Sequence, residues 1–188
     1  MSESGDLNVL GICGSLRKNS YNRRLLELAK DLAPEGMVIN IYKSFADIPV
    51  YNGDDEDRDG IPASVVELRE AVRAADGVLL AMPEYNFSVP GGLKNAFDWL
   101  SRKDQPFTDK PMAIMGGAAG VLGTGRSQYH MRQSMAALGA IFMPRPEVFV
   151  AAVHTKFDDD GNFTDELGRT LIGQFVAAFQ KWIVQVRP

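Results

Sequence analysis

The stretch Leu7-Asn8-Val9-Leu10-Gly11-Ile12-Cys13-Gly14-Ser15-Leu16-Arg17-Lys18-Asn19-Ser20-Tyr21-Asn22 changes character twice. Its first part, to Cys13, is a nearly continuous apolar run of strand length, as in a strand covered on both faces. A glycine and a polar turn follow. Beyond them Leu25, Leu28, Ala29 and Leu32 recur at i, i+3, i+4 and i+7, one face of a helix that begins at about Asn22. Pro34 and Gly36 stop that helix. A strand that turns directly into a helix is the opening of a βα unit.

The same alternation continues along the chain. A short strand covers Met37 to Tyr42, and the acidic, polar segment Asn52 to Gly60 reads as a surface loop. Pro62 opens a helix whose apolar face is Val65, Leu68, Val72 and Ala75. Asp76-Gly77 then turns into the apolar run Val78 to Met82. Leu93, Ala96, Phe97 and Leu100 form a further helical face, and Met112 to Met115 a fourth strand. A glycine-rich loop, Gly116 to Gly125, leads to a helix around Gln128 to Leu138. Ile141 to Met143 and Val148 to Val150 supply a fifth strand region, interrupted by Pro144 and Pro146. A last helix carries Leu167, Leu171, Phe175, Ala178, Phe179 and Trp182 on one side. Five strands alternating with five helices predict a single α/β domain over residues 1–188. The expected architecture is a flavodoxin-like three-layer sandwich, with a five-stranded parallel sheet of order 2-1-3-4-5.

Composition sets outer limits. The 188 residues are 45% hydrophobic and 23% charged, with a net charge of −4. That balance opposes a general nucleic-acid binder, which would be basic. No apolar run approaches the ~18 residues of a membrane span. Cys13 is the one cysteine, so no intramolecular disulfide forms and a reducing compartment fits. Met1 to Leu7 is polar and acidic, without the apolar core of a signal peptide. A cytoplasmic protein is expected.

In a sheet of this order ligands bind outside the carboxyl ends of the strands, at the switch point between strands one and three. Three loops qualify: Gly14 to Asn22, Pro83 to Pro90 and Gly116 to Gly125. The first puts Ser15, Ser20 and Asn22, with Leu16 and Tyr21 among them, beside the cations Arg17 and Lys18 at a helix N-terminus. Backbone amides are unsatisfied there and the helix dipole is positive, so a phosphate fits. A plain N-cap at Ser20 or Asn22 is the other reading of the same residues. Absences narrow the ligand. There is no G-x-x-x-x-G-K-[ST] loop, and Gly11 and Gly14 do not fit G-x-G-x-x-G. The second strand ends in Ile41-Tyr42-Lys43, without the acid that would hold an adenosine ribose. A phosphomonoester cofactor remains, and FMN is one. The second loop, Pro83-Glu84-Tyr85-Asn86-Phe87-Ser88-Val89-Pro90, is held by two prolines. It offers Tyr85 to a ring and the main chain of Glu84 to Asn86 to ring heteroatoms; a rigid turn covering the core is the alternative.

Two motifs carry a resemblance. Gly14-Ser15-Leu16-Arg17-x-x-Ser20-x-Asn22 and Pro83-Glu84-Tyr85-Asn86-x-Ser88-x-Pro90-Gly91-x-Leu93-Lys94-Asn95-Ala96-x-Asp98-Trp99 together resemble the NADPH-dependent FMN reductase family. The likeness is strongest to its chromate and quinone reductase branch and covers nearly the whole chain. It implies that Ser15, Arg17, Ser20 and Asn22 bind the FMN phosphate. Pro83, Glu84, Tyr85 and Asn86 would contact the isoalloxazine, largely by main chain. Gly116, Gly117 and Ala118 would run beside the other edge of the ring, where relatives often carry serine or threonine. Phe87 stands where a tyrosine is frequent. The resemblance further implies NAD(P)H as the hydride donor, a quinone or chromate as acceptor, ping-pong turnover with no protein nucleophile, and a homodimer or homotetramer.

Other residues are candidates of lower rank. Arg102, Lys94 and Arg126 are placed to attract an anionic acceptor or the phosphates of the donor, or are solvated helix charges. Arg126, Tyr129 and Glu147 are alternative candidates for a subunit contact. His130 and His154 lack a metal-ligand pattern and read as structural, and Cys13 as packing. Asp158-Asp159-Asp160-Gly161-Asn162 lacks the distal glutamate of a calcium loop and reads as a polar turn. The rival functional reading is an electron carrier of the same fold. Carriers tend to be strongly acidic, which the charge of −4 and the basic first loop oppose.

Overall fold

In the computed structural model residues 6–187 are described, so residues 1–5 of the polar N-terminal stretch lie outside. The apolar runs become strands buried almost throughout: β1 (Leu7–Cys13), β3 (Gly77–Ala81) and β4 (Pro111–Gly117). β2 (Met37–Ile41) alternates buried and exposed residues, as an edge strand does. β1 pairs in parallel with β2 through Leu7 opposite Met37, and with β3 through Val9 opposite Gly77. β3 pairs with β4 through Val78 opposite Met112. The order is β2-β1-β3-β4-β5, with β5 at Ile141–Phe142, the expected 2-1-3-4-5.

The fifth position is filled by two pieces. β5 (Ile141–Phe142) pairs with Pro111 and Met112, while β6 (Val148–Val150) pairs with Met115 to Gly117. Pro144 and Pro146 lie between them, and prolines cannot donate to the ladder.

Side-chain alternation along the strands feeds two cores. Val9, Cys13, Leu79, Ala81, Ala113 and Met115 face a layer made by α1 (Tyr21–Asp31) and α6 (Glu166–Val186). Ile12, Val78, Leu80, Met112 and Ile114 face α3 (Ala63–Ala74), α4 (Gly91–Leu100) and α5 (Gly125–Ala136). Both faces of the sheet are therefore covered, which is why its central strands read as continuous apolar runs.

Two elements differ from expectation. Asn52 to Gly60 is not a loop but contains α2 (Gly53–Asp59), none of whose residues is buried. Local polar terms hold it. Asn52 Oδ1 accepts from the Asp54 amide at 3.0 Å, acids fill the first turn, and Arg58 pairs with Asp55 at 2.6 Å. Such a helix has no hydrophobic period to read. In α6 the buried stripe is Ile172, Phe175, Val176, Phe179 and Ile183, while Leu167 and Leu171 face solvent. The apolar arc of the helix is wider than the stripe it buries, so its rotation is chosen by docking. Trp182, half-buried, donates its indole N–H to the Ile141 carbonyl at 3.1 Å.

Phe179 is fully buried where α6 crosses the start of β3. Phe179→Ala is expected to cost about 3–5 kcal/mol. Urea unfolding would show a lowered midpoint with an unchanged slope; an unchanged midpoint would place α6 elsewhere.

Candidate functional site

Gly14 is where the site begins. Its amide donates to the Ala81 carbonyl at 2.8 Å, so β1 leaves the sheet against the exit of β3. A Cβ at Gly14 would lie 2.6 Å from Met82 Cβ, a distance only glycine avoids. Ser20 then caps α1, its hydroxyl accepting from the Arg23 amide at 3.4 Å. The amides of Tyr21 and Asn22 precede the first intrahelical bonds and stay open. No acid stands in the first turn to neutralise the dipole. Arg17 is exposed beside them. Ser20 is thus a cap, and the helix end is also open to an anion.

Asn22 has a more specific task. Its side chain is 4% exposed. Nδ2 donates to the Gly117 carbonyl at 3.0 Å, and Oδ1 accepts from the Gly117 amide at 2.9 Å. The amide completes both backbone valences of a residue 95 positions away and fastens the first loop to the end of β4.

The second loop is held from α5. Glu84 has a side chain 5% exposed. Its Oε2 accepts from the amides of Arg126 at 3.0 Å and Ser127 at 3.2 Å, and its Oε1 accepts from Arg126 Nε at 2.6 Å. Thr124, at the N-cap position, makes no side-chain cap bond, so Glu84 caps the helix from outside it. Tyr85 to Ser88 close a tight turn with reciprocal backbone bonds of 3.1 and 3.0 Å. Its central residues, Asn86 and Phe87, have φ of 49° and 65°. Positive φ is costly for a phenylalanine. The Arg126 guanidinium lies 3.6 Å from the Phe87 ring centroid, and His130 Nδ1 lies 3.0 Å from Ser88 Oγ. Tyr85 reaches the first loop, its hydroxyl 3.5 Å from Ser15 Oγ.

The third loop starts later than expected. Gly116 and Gly117 belong to β4. A Cβ at Gly116 would collide with the Met82 carbonyl oxygen, and one at Gly117 would come within 2.7 Å of Val153. Both glycines serve close packing. The Ala118 amide donates to Val150 O at 3.1 Å, and the Val153 amide to Ala118 O at 3.0 Å. These bonds bring the 3-10 turn Val153–Thr155 to the same edge.

Together these segments enclose one cleft of about 220 Å³. Ser15, Arg17, Ser20, Tyr21 and Asn22 line it from the first loop, Pro83, Glu84 and Tyr85 from the second, and Gly117, Ala118 and Ala119 from the third. Val153 and His154 close it; neither was expected. The signal for them was the carboxyl-end rule applied to the fifth strand as well as the first, third and fourth. Leu16, Asn86 and Gly116 do not line this cleft. Leu16 faces the neighbouring depressions, and Gly116 is buried against Met82.

Arg102 sits past the far end of α4, its guanidinium on Tyr51 at 5.1 Å and bonded to Ser101 Oγ at 2.7 Å. It lies outside the cleft. Lys94 pairs with Asp98 at 2.5 Å on the same helix. Tyr129 meets Glu147 of its own chain, and that carboxylate raises the phenol's pKa above its usual value. Burial raises the Cys13 thiol, which stays protonated and unreactive at neutral pH.

The donor set fits a phosphomonoester nucleotide with a flat ring. Open amides, a helix N-terminus without acids and one arginine suit the phosphate. Tyr85, Ala118, Ala119 and Val153 offer a largely apolar wall for the ring. A doubly wound sheet carrying this cleft at its switch point defines a flavodoxin-like, mononucleotide-binding class of protein.

Comparison with known proteins narrows the class. The profile of the NADPH-dependent FMN reductases matches residues 7–155, and the chain belongs to that family. It is 45% identical to an NAD(P)H-dependent FMN reductase of Pseudomonas aeruginosa over 98% of this chain and 99% of that one. It is 43% identical to a quinone reductase of Escherichia coli K12, covering 94% of this chain and 97% of the relative. Among solved structures, an NAD(P)H:acceptor flavoenzyme of Paracoccus denitrificans superposes with a TM-score of 0.85 at 34% identity, over 95% of this chain and 98% of its own.

Asn22→Ala leaves the Gly117 amide and carbonyl buried and unmet, each costing about 1–3 kcal/mol. Chemical denaturation should show this loss. At the turn, Phe87→Gly should be more stable than Phe87→Val by at least about 1 kcal/mol, since a β-branched residue resists positive φ. Equal thermal midpoints for the two variants would contradict the left-handed turn.

Proposed function

We propose that this protein is an FMN-dependent NAD(P)H oxidoreductase that reduces quinones, with chromate and other small oxidants as further acceptors. The observation that carries the reading is the convergence of the phosphate-type helix end, the Tyr85 wall and the Gly117–Ala119 edge in one cleft. Ser15, Arg17 and Ser20 would hold the FMN phosphate, with the open main-chain amides of Tyr21 and Asn22 donating to its oxygens. Pro83, Glu84 and Tyr85 would flank the isoalloxazine on one edge, and Gly117 and Ala118 on the other. Held by these residues, FMN would supply the two-electron transfer between NAD(P)H and the acceptor.

The chain's own contribution is position and electrostatics. Glu84 spends its carboxylate on the amides of α5, so its charge is committed there rather than to the ring. The main chain of Pro83 to Tyr85 is thereby fixed beside the ring edge. The cleft is open on one side, so donor and acceptor would take the same place in turn. Ping-pong kinetics follow. No side chain is required as nucleophile or general acid.

A homodimer or homotetramer accords with the exposed apolar side chains of Phe87, Val121, Leu122 and Tyr129 beside the cleft. A reducing cytoplasm accords with the free thiol of Cys13.

Protein incubated with FMN and passed through a desalting column should emerge yellow and oxidise NAD(P)H with a quinone, giving parallel double-reciprocal lines. Arg17→Ala should weaken FMN binding about tenfold or more, the worth of one charge-assisted contact. A colourless eluate sinks the reading. A yellow protein without steady-state turnover is an electron carrier instead.

A further inference from the structure

The 3-10 turn Val153–Thr155 brings to the cleft a titratable side chain that the three motif loops do not supply. Its course is fixed at both ends. Ala152 enters it with a left-handed φ of 45°, and the Val153 amide bonds the Ala118 carbonyl at 3.0 Å. The Val153 side chain is buried. It packs on Gly117, where a Cβ would lie 2.7 Å from Val153 and 3.1 Å from Leu25 of α1. Just past the turn, the Phe157 ring lies 5.4 Å from the ring of Tyr21, the first residue of α1. The turn therefore runs from the end of β4 to the first turn of α1. His154 lies on this course, between the two anchors, and lines the cleft. Unlike Val153 it is exposed, and among the described residues neither of its ring nitrogens makes a hydrogen bond.

The charges around this imidazole are committed elsewhere or positive. Lys156, two residues on, pairs with Asp165 at 2.6 Å. Asp158 turns its carboxylate to the Asn162 amide at 2.7 Å and to the Asn162 side chain at 3.0 Å. From α1, the Arg24 guanidinium lies 5.8 Å from the Tyr21 ring centroid and 5.7 Å from that of Phe157. Within the cleft stand Arg17, the phenols of Tyr21 and Tyr85, and Glu84, whose carboxylate is bonded to the amides of α5. Among the described residues, a protonated His154 therefore meets no uncommitted carboxylate from these elements. The open amides of α1 and Arg17 are its neighbours along the same wall.

We propose that His154 is a second cationic contact, beside Arg17, for the phosphate seated at the start of α1, so that the chain holds its mononucleotide more tightly in mildly acid solution. The assignment rests on the cleft being the FMN site. An unperturbed imidazole takes up its proton at about pH 6.5. An adjacent phosphate dianion favours the charged ring. A contact of this kind is complete in mildly acid solution and fades as the pH rises past neutrality. His130, the other histidine of the chain, lies against Ser88 and does not line the cleft.

Quenching of flavin fluorescence tests this, with FMN titrated into the wild type and His154→Gln at about pH 6 and about pH 8.5, on either side of ordinary histidine titration. The readout is the ratio of the variant's dissociation constant to that of the wild type at each pH. The FMN phosphate itself takes up a proton at about pH 6, and His130 titrates too, but both act on the two proteins alike and cancel in the ratio. The ratio should be near one at the higher pH, which also shows that the variant folds. At the lower pH it should rise about threefold or more, the worth of an exposed ion pair. Riboflavin, which lacks the phosphate, should bind wild type and variant alike at both values. A ratio that is the same at both pH values overturns the proposal, since a purely structural role weakens binding uniformly. A pH-dependent loss that riboflavin shares also overturns it, because the imidazole would then act on the ring. Absence of any FMN binding by the wild type sinks the oxidoreductase reading and this contact with it, whereas a flat ratio leaves that reading standing.

Discussion

The architecture of the site depends on how tightly three strand ends crowd around Met82. β1 leaves the sheet through Gly14, and Gly116 is the next-to-last residue of β4; a methyl group on either would strike Met82, at its Cβ in one case and its carbonyl oxygen in the other. Met82 itself donates to the Met115 carbonyl at 3.1 Å, holding β4 to the chain one residue past the end of β3. With no room for side chains between these exits, the loops that follow start from one rigid platform. A closely packed platform transmits little slack, so a cradle built on it is preorganised.

On that platform the walls are tied across long sequence distances by groups that leave few valences open. The Asn22 amide completes both polar groups of Gly117. Glu84 completes the start of α5, and α5 returns the favour through Arg126 on Phe87 and His130 on Ser88. The turn at Asn86-Phe87 pays for its left-handed backbone with these contacts. Residues that look like ligand contacts in the motif therefore divide into two groups. Glu84 and Asn22 shape the cleft by bonding the chain, while Ser15, Arg17 and Tyr85 remain exposed or half-exposed and free to meet what enters.

Charge follows the same division. Acidic residues hold helices and ion pairs around the edge of the sheet, as Glu67 does with Lys43 and Glu27 with Arg23. The cleft side of the first loop keeps its cations. A chain with net charge −4 can in this way present a locally positive entrance to anionic nucleotides.

The strands, their parallel order and the three loops of the cleft were legible in the linear sequence. Continuous apolar runs, helical periodicity and glycine-bearing turns are local consequences of burial and backbone sterics, and they depend on neighbours a few residues apart. The short helix at Gly53–Asp59 escaped this reading because capping and charge hold it, not an apolar face. The buried side of α6 escaped it because its apolar arc is wide, with Val176 and Ile183 at one edge and Leu167 and Leu171 at the other, and can dock at more than one rotation. Tertiary structure alone decided that Glu84 caps α5, that Asn22 locks Gly117, that Gly116 packs rather than lines the cleft, and that Val153 and His154 join its wall. Each of these depends on which distant group arrives at hydrogen-bond or contact distance, and no periodicity along the chain encodes that arrival.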